Sequence, residues 1–121
     1  MRYTIEALPG YLKAEMLERE TAAETVEFVE ALVEAVRSKG VSRVLISTRQ
    51  SRPVFKVEDW KLSEALGKVM SIPGLRVAFV SDTREIALSQ EYIALLGQQR
   101  GLEFRAFGTE EKAAVEWLTG L

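Results

Sequence analysis

The chain of 121 residues contains no cysteine and no histidine. Without cysteine there is no disulfide, no thiolate nucleophile and no cysteine-bound metal. Without histidine, the most common general base and the most common metal ligand are both missing. Serine–histidine triads, cysteine–histidine dyads and the usual zinc sites are therefore excluded. We expect a protein that is not an enzyme and that carries no metal or cofactor.

Long apolar runs and strong net charge are also lacking. No stretch approaches the roughly 20 apolar residues that cross a membrane, and the net charge of −2 favours neither a nucleic-acid nor an anionic-membrane partner. The eight glycines are scattered, and none forms a phosphate-binding loop. Because the first six residues turn polar at once, we expect no signal peptide and a cytoplasmic protein.

What is present fits one domain over residues 1–121, since 47% hydrophobic residues are enough for a core. Residues 2–7 and 11–18 alternate between apolar and polar, and Pro9-Gly10 between them suits a tight turn, so the N-terminus predicts an antiparallel hairpin. Further strands are predicted at residues 42–48, 75–80 and 102–107, the last of them at an edge of the sheet.

Four helices separate or follow these strands. Thr21 and Glu24 have capping-box spacing before the first helix, which Gly40 ends. The four helices are predicted to start at Thr21, at Glu58 and Asp59, at an Asp82–Glu85 capping pair, and at Glu110 and Glu111. Inward residues include Ile86, Ile93 and Leu96 in the third helix, with Tyr92 and Leu95 nearby, and Ala113, Ala114, Trp117 and Leu118 in the fourth.

The resulting order, ββαβαβαβα, predicts an α/β fold with a mixed, mostly parallel five-stranded sheet and four helices. Three segments resemble SpoIIAA-like proteins, the group linked to STAS domains and to the lipid-binding Sec14/CRAL-TRIO fold. They are Gly40-Val-Ser-Arg-Val-Leu-Ile46, Pro73-Gly-Leu-Arg-Val-Ala-Phe-Val80 and the tail at 100–118, in which a Phe strand and a short turn precede an Ala-rich helix with Trp-Leu. The resemblance covers nearly the whole chain and implies a SpoIIAA/STAS-like fold.

The same resemblance has two functional implications. STAS-type anti-sigma-factor antagonists carry a phosphorylatable serine where a central strand meets its helix, in a pattern resembling Asp-Ser-Ser/Thr-Gly. This chain has Ser47-Thr-Arg-Gln-Ser-Arg-Pro53 there, without the Asp and the Gly, and Ser51 is the nearest hydroxyl. The Sec14-like fold implies an apolar or lipid ligand.

Two loops carry the candidate site. Ligands of open α/β sheets bind where strands end, and arginine and hydroxyl side chains follow the strands at 42–48 and 75–81. If these strands are neighbours, Arg49, Arg52 and Arg84 meet hydroxyl groups there, and guanidinium groups bind phosphate or carboxylate. Phe55 and Trp60, with Val54, are candidates to wall an apolar ligand site or a partner surface. The predicted ligand-binding residues are Ser47, Thr48, Arg49, Ser51, Arg52, Phe55, Trp60, Ser81, Thr83 and Arg84.

The leading hypothesis is a non-enzymatic binding or regulatory module that recognises an anionic small molecule or a protein partner at these loops. Alternatives are a carrier of a small apolar or lipid ligand, and a small hydrolase that works without histidine or cysteine. A homodimer through the edge strand at 102–107 or through the N-terminal hairpin is also open.

Overall fold

The computed structural model describes residues 1–52 and 60–120. Within them, strands and helices follow the predicted order. They are β1 (Arg2–Leu8), β2 (Tyr11–Leu17), α1 (Ala22–Lys39), β3 (Arg43–Arg49), α2 (Trp60–Met70), β4 (Arg76–Ser81), α3 (Arg84–Gln99), β5 (Glu103–Ala106) and α4 (Glu111–Thr119). The α/β class and the five-stranded mixed sheet with four helices are confirmed. Glu58 and Asp59, the predicted start of the second helix, lie outside the described residues.

The strands are arranged in the sheet in sequence order, β1-β2-β3-β4-β5. β1 and β2 form the predicted antiparallel hairpin, and Gly10 between them has a φ of 87°, which glycine adopts without strain. The other three pairings are parallel. The strands predicted at 42–48 and 75–81 are indeed neighbours, with Thr48 opposite Ser81, so both loops of the candidate site follow adjacent strands.

Two hydrophobic clusters cover the two faces of the sheet. Parallel crossovers are right-handed, and because the strand order never reverses, α1, α2 and α3 all lie on one face. We call this the three-helix face; its core includes Leu12, Val44, Val77 and Phe104. Since side chains alternate along a strand, Leu45 and its neighbours point to the opposite side. There they pack with Ala114 and Leu118 on what we call the α4 face.

The helix ends are determined by local hydrogen bonds, not always the predicted ones. The capping box is confirmed: Thr21 accepts from the backbone N–H of Glu24, and Glu24 accepts from that of Thr21. The prediction that Asp82 caps α3 is wrong. Thr83 is the N-cap and accepts from the backbone N–H of Ile86 at 3.3 Å, whereas the Asp82 carboxylate accepts from the backbone N–H of Gln50 at 3.0 Å.

Three side chains expected at or near inward faces lie outside the core. Ala113 is exposed on α4. Tyr92 and Leu95 are each at least half exposed on α3, where Leu88 accompanies them at helical spacing. Ile86 is buried as predicted, and the buried stripe of α3 continues through Gln90, Ala94 and Gly97. At Gly97 the side chain of Phe104 on β5 leaves no room for a Cβ atom.

Arg76 connects α4 to two strands at the amino end of the parallel sheet. Its Nε donates to Oε2 of Glu103 on β5 at 2.7 Å, and its Nη1 donates to the Trp117 carbonyl at 3.1 Å. Its guanidinium also lies 5.0 Å from the centre of the Trp117 ring. The hydrogen bond from Arg76 is the main cause of the lowered pKa of Glu103, which lies below its usual value of 4.5.

This pair predicts a pH dependence of stability. A carboxylate with a lowered pKa in the folded state stabilises the fold above its unfolded pKa, and that contribution is lost as the pH falls through the folded pKa. We therefore expect wild type to melt slightly above Glu103→Gln at pH 7. The difference should shrink as the pH falls below 4.5. Thermal melts of both proteins from pH 7 to pH 3 check this; a difference that stays constant over the range would contradict it.

Candidate functional site

The predicted site residues of β3 divide between the two faces of the sheet. Ser47 and Thr48 are both buried, but alternation along the strand directs them to opposite sides. Thr48 lies on the three-helix face with Val44 and Ile46, while Ser47 lies on the α4 face with Leu45. These two hydroxyl groups therefore do not belong to one binding surface.

Ser47 and Arg49 meet at a carboxylate that the sequence did not single out. Glu15 on β2 accepts a hydrogen bond from the Ser47 hydroxyl at 3.3 Å, and its Oε2 also lies 3.4 Å from Nε of Arg49. Close by on the same strand, Lys13 pairs with Glu111 at 3.4 Å. The charge of Arg49 is thus balanced within the protein, which weakens its attraction for an external anion.

Ser51 and Arg52 are occupied in joining the loop after β3 to the segment after β2. The Ser51 hydroxyl donates to the Arg49 carbonyl at 2.8 Å and accepts from the backbone N–H of Arg19 at 3.0 Å. The backbone N–H of Arg52 donates to the Arg19 carbonyl at 2.8 Å, and Nη2 of Arg19 donates to the Arg52 carbonyl at 2.5 Å. The two segments are therefore pinned together around Arg19.

The residues after β4 mainly shape the start of α3. The Ser81 hydroxyl donates to the Thr83 carbonyl at 3.1 Å, and the Thr83 hydroxyl caps the helix. Arg84 is the exposed first residue of α3. Trp60 is the first residue of α2, and Phe55 lies outside the described residues. The described predicted residues on β3, on β4 and in the loops after them thus lie at the carboxyl end of the parallel strands, but most of their hydroxyl groups bond to the loops and the helix start themselves.

A cavity of about 100 Å³ lies on the three-helix face, between the sheet and the helices. Of the 21 described residues that line it, 16 have apolar side chains. Met16, Val44, Val77 and Phe104 contribute from four strands, and Phe28 from α1. A space of this size with apolar walls is suited to a small apolar molecule, since such cavities stay dry and accept one.

The polar residues of the lining all belong to one end of the cavity. Thr48 is near the end of β3, Arg19 follows β2, and Thr25 is in the first turn of α1. Ser89 and Gln90 are in the second turn of α3, where Nε2 of Gln90 donates to the Val80 carbonyl at 2.8 Å. All five are at the carboxyl end of the parallel strands, the end where such sheets bind ligands.

Three buried polar atoms at this end lack partners. Nε of Arg19, Oγ of Ser89 and Oε1 of Gln90 have no hydrogen-bond partner in the part of the chain that the structure describes. Burial lowers the pKa of Arg19 below its usual value, and the neighbouring Glu24 carboxylate opposes that shift only in part. Leaving such groups unpaired costs free energy, and all three atoms belong to residues at the polar end of the cavity.

None of these three residues is among the predicted ligand-binding residues. Gln90 carried a usable signal, because it lies four residues after Ile86 and four before Ala94, inside the apolar stripe of a helix. A glutamine at such a position needs a buried partner. Arg19 and Ser89 carried none, since a charged residue before a helix cap and a serine in a helix are ordinary surface residues.

The described ranges contain no cluster of three acidic residues that is able to hold a metal ion. They also contain no helix that is long and apolar enough to cross a membrane. In comparisons with known proteins, no protein-family model matches the chain, and no curated protein matches it either.

Proposed function

We propose that this protein is a non-enzymatic binding protein that takes a small, mainly apolar molecule into the cavity on the three-helix face. One observation carries the proposal: an apolar cavity of about 100 Å³ has, at one end, buried polar atoms that find no partner among the described residues. A region with only a structural role in the core would contain neither a cavity nor unpaired polar atoms, because native cores are closely packed and their polar atoms are hydrogen-bonded.

The anion site at loops 47–55 and 81–85 stays a second hypothesis with less support. Arg49 is paired with Glu15, the Asp82 carboxylate adds a negative charge at the same edge, and the Ser51 hydroxyl is bonded to backbone groups. The membership in the SpoIIAA/STAS-like group likewise stays a prediction. A carrier of an apolar ligand agrees with the Sec14-like side of that resemblance.

The test uses toluene as an apolar probe of suitable size. Toluene is expected to raise the melting temperature of wild type, because a ligand that binds only the folded state stabilises it by about 2.7 kcal/mol at 100 times its Kd. Intermolecular NOEs should join toluene to the methyl groups of Val33 and Val77, which line the cavity. Native mass spectrometry of gently purified protein should also reveal a small co-purifying molecule.

Two variants that fill the cavity provide the control. Val33→Phe, and the milder Val33→Leu in case the first does not fold, should abolish or reduce the stabilisation by toluene. Val115→Phe, on the α4 face, should keep the full response. Absence of both a melting shift and NOEs to the lining methyl groups in wild type would overturn the proposal.

A further inference from the structure

The polar end of the cavity has a definite charge pattern. Arg19 supplies a buried cation on the β2 side, and its residue surface is only 9% exposed. Gln90, 4% exposed, supplies a carbonyl oxygen on the α3 side, because its amide nitrogen is already committed to the Val80 carbonyl. The two sides therefore differ, since one offers positively charged donors and the other offers an acceptor.

The charge of Arg19 is not neutralised by the rest of the chain as far as the structure describes it. Its guanidinium donates to one neutral carbonyl, that of Arg52, and takes part in none of the ion pairs among residues 1–52 and 60–120. Glu24, the acidic residue that influences it, uses its carboxylate for the capping box and for the N-terminal ammonium at 2.9 Å. A buried arginine without a carboxylate is one partner short.

Nε of Arg19 is a donor that is not in use among the described residues. Nε is a donor on the edge of the guanidinium that binds carboxylates, and Arg19 lines the cavity. A second guanidinium nitrogen, Nη2, donates to the Arg52 carbonyl in the loop after β3. This hydrogen bond already fixes the side chain, so ligand binding loses little conformational entropy by ordering it.

We propose that the ligand is a small monocarboxylic acid, with its carboxylate on Arg19 and its apolar body among the valine and phenylalanine side chains of the cavity. This inference rests on the proposed function and names its ligand class. The carbonyl oxygen of Gln90 directs the carboxylate toward Arg19, because two acceptors repel each other on the α3 side. The cavity of about 100 Å³ limits the acid to a short chain or a single ring.

The experiment compares hexanoate with hexan-1-ol, which has the same chain and no charge. Dissociation constants are measured by NMR titration at pH 7 for wild type, for Arg19→Gln and for Arg37→Gln. The last variant is the control, because Arg37 is exposed at the far end of α1. Wild type should bind hexanoate at least tenfold more tightly than hexan-1-ol. Arg19→Gln should lose that preference and keep its affinity for the alcohol, and Arg37→Gln should match wild type.

A second measurement does not depend on the variant folding. The ¹⁵Nε–¹Hε resonance of Arg19 should shift on addition of hexanoate to wild type and stay in place with hexan-1-ol. Equal binding of acid and alcohol, or an unchanged preference in Arg19→Gln, would overturn the carboxylate and leave the cavity proposal standing. Arg49→Gln is titrated in the same way. Loss of hexanoate binding in that variant, with binding kept in Arg19→Gln, would place the acid at the loops after β3 and β4 and overturn the site at Arg19. Failure of hexanoate, hexan-1-ol and toluene all to bind would overturn both proposals.

Discussion

Replacing Gly97 with alanine is expected to destabilise the protein by about 2 kcal/mol, although the same change inside most helices stabilises. A Cβ atom at position 97 would lie 2.4 Å from Cδ2 and 2.8 Å from Cγ of Phe104. Phe104 is buried on β5 and packs edge-on against Phe79, with ring centres 5.7 Å apart, so it has little room to move. The steric cost exceeds the gain in helix propensity.

Gly67 provides the matched control for this prediction. It is also inside a helix, α2, and a Cβ atom there meets no described atom within 4 Å. Gly67→Ala is therefore expected to stabilise by about 0.5–1 kcal/mol. Urea unfolding of both variants measures the two changes. A double-mutant cycle with Phe104→Leu should show that the cost at Gly97 falls when the ring is removed. Changes of the same sign in the two glycine variants would contradict the close contact between α3 and β5.

Phe28→Ala is expected to cost about 3–5 kcal/mol of unfolding free energy. Phe28 is 1% exposed, lines the cavity and contacts Tyr3 edge-on at 5.9 Å between ring centres. Its removal deletes buried surface and leaves a void that joins the existing cavity. Because the sheet side of that cavity is a paired ladder that cannot move inward, we expect little collapse and a cost near the upper end of the range.

The enlarged cavity should also accept a larger ligand. Indole, an aromatic compound with two fused rings, is expected to raise the melting temperature of Phe28→Ala more than that of wild type. Thr21→Ala is the control, since it loses about 1 kcal/mol through a helix cap and opens no apolar space. Denaturant unfolding and melting curves with and without indole check both parts. Equal stabilisation of Phe28→Ala and Thr21→Ala by indole would show that the void is not where the structure places it.

The order of elements was predictable because it depends on local patterns. The hairpin follows from alternation on both sides of Pro9-Gly10, and α1 follows from the capping box and its apolar stripe. The neighbouring positions of β3 and β4 were a condition of the predicted site, and the structure meets that condition. Element order and chirality leave few ways to arrange alternating strands and helices.

The start of α3 shows where local patterns stop being sufficient. Asp82 and Thr83 are both good cap residues, and the sequence favoured the first of them. The structure uses Thr83, because the Asp82 carboxylate is held by the backbone of Gln50, 32 residues earlier in the chain. A contact between distant segments decided between two locally equivalent options.

The candidate site divides in the same way. The sequence by itself excluded the catalytic routes that need histidine or cysteine, and it predicted the edge of the sheet where a ligand is expected. Only the tertiary structure decided which side chains are paired there: it paired Arg49 with Glu15 and, within the described residues, left Nε of Arg19 without a partner. Residue types and periodicity are local properties, whereas a cavity and an unpaired buried charge are the result of packing many distant segments together.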